Sequence, residues 1–240
     1  MHEDILHHLQ QLIDHSRDSS RPFVIQSLGM SLDGKIATYT GDSKYISGPE
    51  SRQWVHHLRN LCDGILVGIN TIEIDHPQLT TRLVEKTGRD AHRIILDSHL
   101  RISLDEPILS LKSPAKTLLL TTCSDSPKIT QLRELGAVVL VCTMNSESRI
   151  DLHDALRQLK QWGINSLLVE GGSTVHFAFL EAGLIDYAFY TISPLIIGGD
   201  HAKTAVGGQG FATLKEAIRF EHLDVFPTGV DYVFYGHILK

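Results

Sequence analysis

Apolar positions follow two spacings along this chain, and the two alternate. Ile5, Leu9, Leu12 and Ile13 recur three and four residues apart, which predicts an amphipathic helix over 2–16. A polar stretch at 18–21 runs into Pro22, and Phe23–Leu28 is apolar in the manner of a strand. Polar residues with several glycines fill 29–47, and connections of that length inside a compact domain usually carry function. Ser47-Gly48-Pro49-Glu50 opens a helix through about Asn60, with proline at an early helical position. Gly64–Gly68 is apolar throughout and predicts a strand buried on both faces. A short helix at Thr71–Ile74 stops before Pro77.

The alternation continues to the end of the chain. Strands are expected at Arg93–Leu96, Thr117–Thr121, Val138–Val141, Asn165–Val169 and Tyr187–Ile192. Helices are expected at Lys128–Leu135, Asp151–Trp162 and Val175–Glu181, the last capped by Gly183. Phe220–Phe226 and Asp231–His237, joined around Pro227-Thr228-Gly229, read as an antiparallel hairpin. Strands alternating with helices predict an α/β fold: a mixed, mostly parallel sheet flanked by helices, with an antiparallel C-terminal hairpin. No linker, repeat or low-complexity tract divides it. Residues 22–240 are expected to form a single domain behind an N-terminal helix and linker, 1–21. Ligands of such sheets bind beyond the carboxyl ends of the strands.

Charge and composition narrow the partners. Lys+Arg 22 against Asp+Glu 28 gives a net charge of −6 with no basic run, which argues against nucleic acid. Cys62, Cys123 and Cys142 lie far apart, which fits a reducing, cytoplasmic setting better than a disulfide framework. No apolar run is long enough to cross a bilayer, and the acidic N-terminus lacks a signal pattern, so no membrane partner is expected. Of the 14 histidines, His2, His7, His8 and His15 cluster on the polar first helix, and His56 and His57 are adjacent and so point apart. With no H-E-x-x-H and no paired C-x-x-C, surface or capping histidines are expected and a metal site is not.

Val169-Glu170-Gly171-Gly172-Ser173-Thr174 carries the strongest chemical signal. A strand, a tight glycine turn and a helix start follow one another there. Helix starts offer N–H groups and a partial positive charge, and glycine admits a ligand close to the backbone. The stretch suits a phosphate or diphosphate; equally, it is an ordinary βα connection. It is one Gly-Gly pair and not the full dinucleotide fingerprint. Three further segments follow strands and should converge at the same sheet edge. Met30–Ala37 holds Asp33 and Lys35, Ser43–Gly48 holds Tyr45, and Val67–Arg82 holds Thr71 and Asp75. Taken singly, each reads better as a turn, a cap or a packing residue.

Together the segments resemble the reductase of riboflavin biosynthesis, which is also the C-terminal half of the bifunctional bacterial deaminase/reductase. The resemblance rests on M-S-L-D-G-K-I-A at 30–37, S-G at 47–48, D-G-I-L-V-G at 63–68, Thr71, and D-x-P-x-L-T-x-R at 75–82. It continues through I-L-D-S at 95–98, L-L-V-E-G-G-S at 167–173, L-I-D at 184–186 and P-L-I-I-G-G at 194–199. It covers nearly everything from Pro22 onward. It implies a dihydrofolate reductase-like fold. The zinc deaminase signature H-x-E with a later P-C-x-x-C is missing, so a deaminase domain is not expected.

The resemblance implies reduction of 5-amino-6-(5-phosphoribosylamino)uracil to the ribitylamino product, with NADPH giving hydride to ribose C1′. Gly171, Gly172, Ser173 and Thr174 resemble the family's diphosphate cradle. Gly29, Tyr45, Thr71, Asp75 and Ser98 stand at cofactor positions, Tyr45 where the family often has tryptophan. Ser43, Arg59, Leu79, Arg82 and Glu170 stand at substrate positions. Guanidinium groups bind phosphate through paired donors, which suits Arg59 and Arg82. Lys35, Asp33 and Asp75, with Glu170, are the candidates for polarising the substrate or moving a proton, and Ser98 and Arg101 for meeting a 2′-phosphate. A homodimer is implied as well. The alternatives are reduction of the 2,5-diamino-6-ribosylamino-pyrimidinone 5′-phosphate, reduction of another pterin-like or carbonyl substrate, and a non-catalytic cofactor-binding homologue.

Overall fold

The computed structural model describes residues 2–84 and 88–239. In chain order the elements are α1 (His2–His15), β1 (Phe23–Ser31), α2 (Pro49–Leu61), β2 (Gly64–Gly68), α3 (Ile69–Asp75) and β3 (His92–Leu96). After one 3-10 turn come β4 (Thr117–Thr121), α4 (Pro127–Glu134), β5 (Val138–Val141), α5 (Leu152–Trp162) and β6 (Ser166–Gly171). α6 (Ser173–Glu181), β7 (Tyr187–Ser193), β8 (Phe220–Thr228) and β9 (Asp231–Ile238) complete the series. The chain forms two compact units, each assembled from two segments: Met1–Phe23 with His57–Leu168, and Val24–His56 with Val169–Lys240.

The first unit holds strands in the order β5-β4-β3-β2-β6. β2–β3, β3–β4 and β4–β5 pair in parallel. β2 and β4 are buried at every position, as their unbroken apolar runs predict. Ile65, Val67, Ile95, Leu119 and Val139 of the strands pack with Ile129 and Leu132 of α4. α1 buries Ile5, Leu9 and Ile13, three of the four residues on its apolar stripe. α5 starts where the Asp151 carboxylate accepts from the His153 N–H at 2.9 Å. It ends at Gly163, whose φ of 113° lies in the left-handed region. Cys62 and Cys142 are free and buried.

The second unit holds the order β1-β7-β9-β8, with β1 parallel to β7 and the last two strands antiparallel. The pleat sends alternate residues to opposite faces. On one face Phe189 of β7 meets Trp54 of α2 with ring centroids 5.4 Å apart, and Phe226 closes on the same indole at 5.3 Å. On the other face, Gln26 of β1 and Tyr190 of β7 join the buried His176 of α6. Parallel strands of α/β type with an antiparallel C-terminal pair are the predicted fold class.

β1 and the C-terminal hairpin turn differ from expectation. β1 continues three residues past Leu28, because Gly29, Met30 and Ser31 keep pairing with Thr191, Ile192 and Ser193. The hairpin turn is tighter than Pro227-Thr228-Gly229 suggests. Pro227 pairs with Tyr232 and Thr228 with Asp231, so only Gly229 and Val230 turn the chain. Proline is tolerated there because β8 is an edge strand, where a missing N–H need not break a ladder bond.

β8 and β9 slip register between Phe220 and Leu223. A Cβ on Gly236 would lie 1.9 Å from the His222 carbonyl oxygen at that slip. Gly236→Ala is therefore expected to lower the urea midpoint by the equivalent of about 2 kcal/mol. An unchanged midpoint would show that the strand pair can shift at no cost.

Candidate functional site

β6 delivers Glu170 and Gly171 to a turn, and α6 begins at once. Gly172 caps the helix with φ 85° and ψ 123°, a conformation that residues with a Cβ rarely adopt. The first helical bond runs from the His176 N–H to the Gly172 carbonyl at 3.0 Å. The N–H groups of Ser173, Thr174 and Val175 precede it, so the helix itself gives them no acceptor. A second glycine pair packs against this turn. The Gly207 N–H donates to the Ser173 carbonyl at 3.1 Å, and a Cβ on Gly207 would stand 2.7 Å from Ser173 Oγ. At Gly208 (φ 80°) a Cβ would meet the Phe177 ring at 2.2 Å. Sequence reasoning passed over these two residues; the signal available was V-G-G-Q-G at 206–210.

The end of β1 makes the next cluster. Asp33 accepts from Ser31 Oγ at 2.6 Å, from the Ile197 N–H at 3.1 Å and from the Gly198 N–H at 2.7 Å. These donors, Ser31 foremost, hold its carboxyl down at about 2. Asp33 is thus a permanent carboxylate that ties its turn to the P-L-I-I-G-G loop. Lys35 lies in the same web. Its N–H donates to Ser31 Oγ at 2.9 Å, and its Nζ reaches the Ala202 carbonyl at 3.4 Å.

Gly29 faces Ser47, to which a Cβ would come within 3.9 Å. Ser43 is half-buried, and Tyr45 is exposed with the Arg52 guanidinium 4.3 Å above its ring. This loop is anchored where α2 starts. The buried Asp231 accepts through Oδ2 from the Gly48 N–H at 2.7 Å and from Ser51 Oγ at 2.6 Å. A carboxylate at a helix N-terminus also complements the helix dipole. Sequence analysis did not single out Asp231.

The remaining predicted residues belong to the first unit. β2 leads straight into α3, whose N-cap is Gly68; Thr71 lies inside the helix and does not cap it. Asp75 is the last residue of α3, and His76 turns away with φ 44°. Leu79 is buried with φ 51°, so it presents mainly backbone. Arg59 Nη1 donates to the Thr80 carbonyl at 2.9 Å, which holds that guanidinium beside the segment ending in the exposed Arg82. Past β3, Ser98 Oγ accepts from the Ile150 N–H at 3.2 Å. Arg101 pairs with Glu73 and donates to Asn70 Oδ1 at 3.0 Å, so α3 holds it.

One buried polar chain underlies the glycine turn. The Tyr190 hydroxyl donates to Gln26 Oε1 at 2.7 Å. Gln26 Nε2 donates to His176 Nδ1 at 3.0 Å and to the His176 carbonyl at 3.2 Å. An amide nitrogen only donates, so Nδ1 is the acceptor and the ring proton sits on Nε2. His176 departs from the expected surface histidines: it is 3% exposed, and its Nδ1 is bonded by the buried Gln26. Burial pushes its pKa down to about 4, with the Glu170 backbone acting in the opposite direction. Among the described residues, no group of three or more His, Cys, Asp or Glu could hold a metal, and no helix is long and apolar enough to cross a membrane.

The RibD C-terminal domain family model matches residues 22–234. Over 215 residues the chain is 40% identical to the 2,5-diamino-6-ribosylamino-4(3H)-pyrimidinone 5′-phosphate reductase of Methanothermobacter thermautotrophicus, covering 89% of this chain and 96% of that protein. Over 213 residues it is 37% identical to the riboflavin biosynthesis protein RibD of Actinobacillus pleuropneumoniae. That match takes in 89% of this chain but 56% of the relative, so the chain spans little more than half its length. Among solved structures, Acinetobacter baumannii RibD aligns with a TM-score of 0.79 and 28% identity, over 92% of this chain and 59% of that one.

The buried imidazole predicts a pH dependence. The folded state favours the neutral ring, while the unfolded ring, near 6.5, takes a proton more readily. This contribution to stability is complete above pH 6.5 and is lost as pH falls toward 4. It amounts to on the order of 3 kcal/mol. Urea titrations across that window should show a steeper loss for the wild type than for His176→Gln. Equal slopes would contradict the assignment.

Proposed function

The chain belongs to the RibD C-terminal domain family, and on that premise we propose that it is an NADPH-dependent reductase of riboflavin biosynthesis. Its substrate is 5-amino-6-(5-phosphoribosylamino)uracil, reduced at ribose C1′. The observation that carries the proposal is the Gly172 turn. Its φ of 85°, the helix start behind it and the closely packed Gly207 and Gly208 form a backbone-lined surface suited to a diphosphate. The residues present therefore fit the cofactor.

NADPH, when bound, supplies the hydride that reduces C1′. The protein supplies placement and charge. Gly171, Gly172, Ser173 and Thr174 hold the diphosphate, and Gly29, Tyr45, Thr71, Asp75 and Ser98 contact the rest of the cofactor. Arg59 and Arg82 take the substrate phosphate, each guanidinium offering paired donors. Ser43, the backbone at Leu79 and the Glu170 carboxylate hold the pyrimidine and ribose. Holding both reactants aligned supplies much of the rate. Reduction of an open-chain imine adds hydride to carbon and requires a proton to be supplied to nitrogen. Asp75 and Glu170 favour the protonated imine through their charge, and Lys35 Nζ is the group able to deliver the proton. Asp33, engaged by three donors, fixes the turn that carries Lys35 and does not move a proton itself.

A second substrate reading has its own support. The Methanothermobacter reductase, matched over 96% of its length, is named for the diamino-pyrimidinone phosphate. The two substrates differ by an oxo or an amino group on the ring. We also propose a cytoplasmic homodimer. β8 is an edge strand, and Leu223, Val225 and Tyr232 are each about half exposed on it and its neighbour, an apolar surface suited to a second copy.

The purified protein should oxidise NADPH with the uracil compound, and its rate with the diamino-pyrimidinone assigns the preferred ring. Failure to oxidise NADPH with either would overturn the proposal. Thr174→Asp separates cofactor binding from folding. An acidic residue in the first helical turn suits the dipole, so thermal stability should hold or rise. The same charge repels a diphosphate, so the KM for NADPH should rise about tenfold or more, roughly 1.4 kcal/mol. An unchanged KM would remove the cradle. Arg59→Ala should raise the substrate KM by a similar factor while leaving that for NADPH alone.

A further inference from the structure

Residues 76–82 lie in the first unit and form neither helix nor strand. A segment without ladder bonds keeps one shape only if other groups pin it. Its far end is pinned by polar side chains. Arg59 Nη1 donates to the Thr80 carbonyl at 2.9 Å, and the Thr81 N–H donates to Asp90 Oδ1 at 2.8 Å. Asp90 is itself held through Oδ2, which accepts from Ser113 Oγ at 2.8 Å. In the middle, Leu79 is buried in the apolar cluster that also takes in Ile72, Ile102 and Ile108.

The near end depends on another contact. His76 closes α3 in the left-handed region, with φ 44° and ψ 51°, and its N–H bonds the Ile72 carbonyl at 3.0 Å. Glycine usually fills such a position because a Cβ crowds the backbone there. Here a side-chain contact supports a histidine. Its Nδ1 lies 3.0 Å from Glu106 Oε1 and 3.2 Å from Oε2. A carboxylate oxygen accepts, so Nδ1 is the donor and carries the ring proton. The His76 side chain is 58% exposed, whereas that of Glu106 is 6% exposed. A carboxylate so far from water needs a donor, and His76 supplies one. The backbone of Glu106 is anchored as well. Its carbonyl accepts from the Leu109 N–H at 3.0 Å, and the intervening Ile108 belongs to the same cluster as Leu79. The contact therefore ties an exposed ring to a fixed point in the core.

We propose that Glu106 is a positioning residue for the reaction: by holding His76 in its left-handed turn, it sets the direction in which the chain leaves Asp75 and presents the backbone at Leu79. This rests on the reading of Asp75 and Leu79 as ligand contacts. Glu106 is buried and acts through His76.

Substitutions at both ends of the contact separate positioning from bulk stability. Glu106→Gln keeps an oxygen able to accept from Nδ1, whereas Glu106→Leu fills the space and accepts nothing. In the ligand-free protein, protection of the residue-76 amide against hydrogen exchange should fall about tenfold in Glu106→Leu and stay near the wild-type value in Glu106→Gln. His76→Gly suits the left-handed backbone but loses the ring, and should lose as much protection as Glu106→Leu. The double variant should lose no more than either single one, because each removes the same contact. In the assay with the uracil compound, the substrate KM should rise about tenfold in Glu106→Leu and return toward the wild-type value in Glu106→Gln. Wild-type protection in Glu106→Leu or in His76→Gly overturns the proposal, and so does a Gln variant as impaired as Leu. Lost protection with an unchanged KM, in an enzyme that turns the substrate over, overturns it too. If the wild type turns over neither pyrimidine while the protection pattern holds, the substrate reading falls and the hold of Glu106 on the segment stands.

Discussion

A glutamine at the centre of a strand covered on both faces is the constraint around which the second unit is arranged. Gln26 lies in β1, whose first six residues are all buried. A buried amide left unpaired costs a few kcal/mol, so its surroundings must supply acceptors for two hydrogens and a donor for its oxygen. His176 provides the acceptors and Tyr190 the donor. Those two residues come from α6 and β7, so one polar requirement fixes a helix and a strand against β1.

Carboxylates do comparable work at other loop starts. Asp33 gathers the Ile197 and Gly198 N–H groups, and Asp231 gathers the Gly48 N–H and Ser51 hydroxyl. In the first unit, the fully buried Asp97 accepts from the Arg101 and Ile102 N–H groups at 2.8 Å each. Each takes backbone donors that a loop leaves without ladder partners. Loops tied in this way can present ligand-binding groups from a rigid base, which positioning catalysis requires. The glycines serve the complementary purpose. Gly172 turns where a side chain could not, and Gly207 lets one backbone lie against another.

The chain's local patterns carried most of the secondary structure. β2 and β4 occupy the stretches that their apolar runs mark, because burial on both faces leaves little room for another reading. The Asp151 cap and the Gly163 stop of α5 follow from chemistry within a few residues. What local pattern could not reach is pairing across the chain. β1 outruns its apolar stretch because β7, about 160 residues later, continues to bond Gly29–Ser31. His176 looked like one more histidine because its partner Gln26 is 150 positions away, and Asp231 because Ser51 is 180 away. The motif residues at 30–37, 75–82 and 170–174 could be singled out from the sequence as candidates for chemistry. Their supporting contacts could not, and those contacts recast Asp33 as an anchor and Thr71 as a helix-interior residue.

The account turns on Gly171–Thr174 being the place where the cofactor diphosphate meets the protein. Backbone amide shifts of the wild type, followed through a titration with NADPH, test this directly. The account predicts that the largest and earliest changes fall on residues 171–174 and on the adjoining Gly207 and Gly208. Saturable changes that leave those amides in place, and gather elsewhere on the chain, would contradict it.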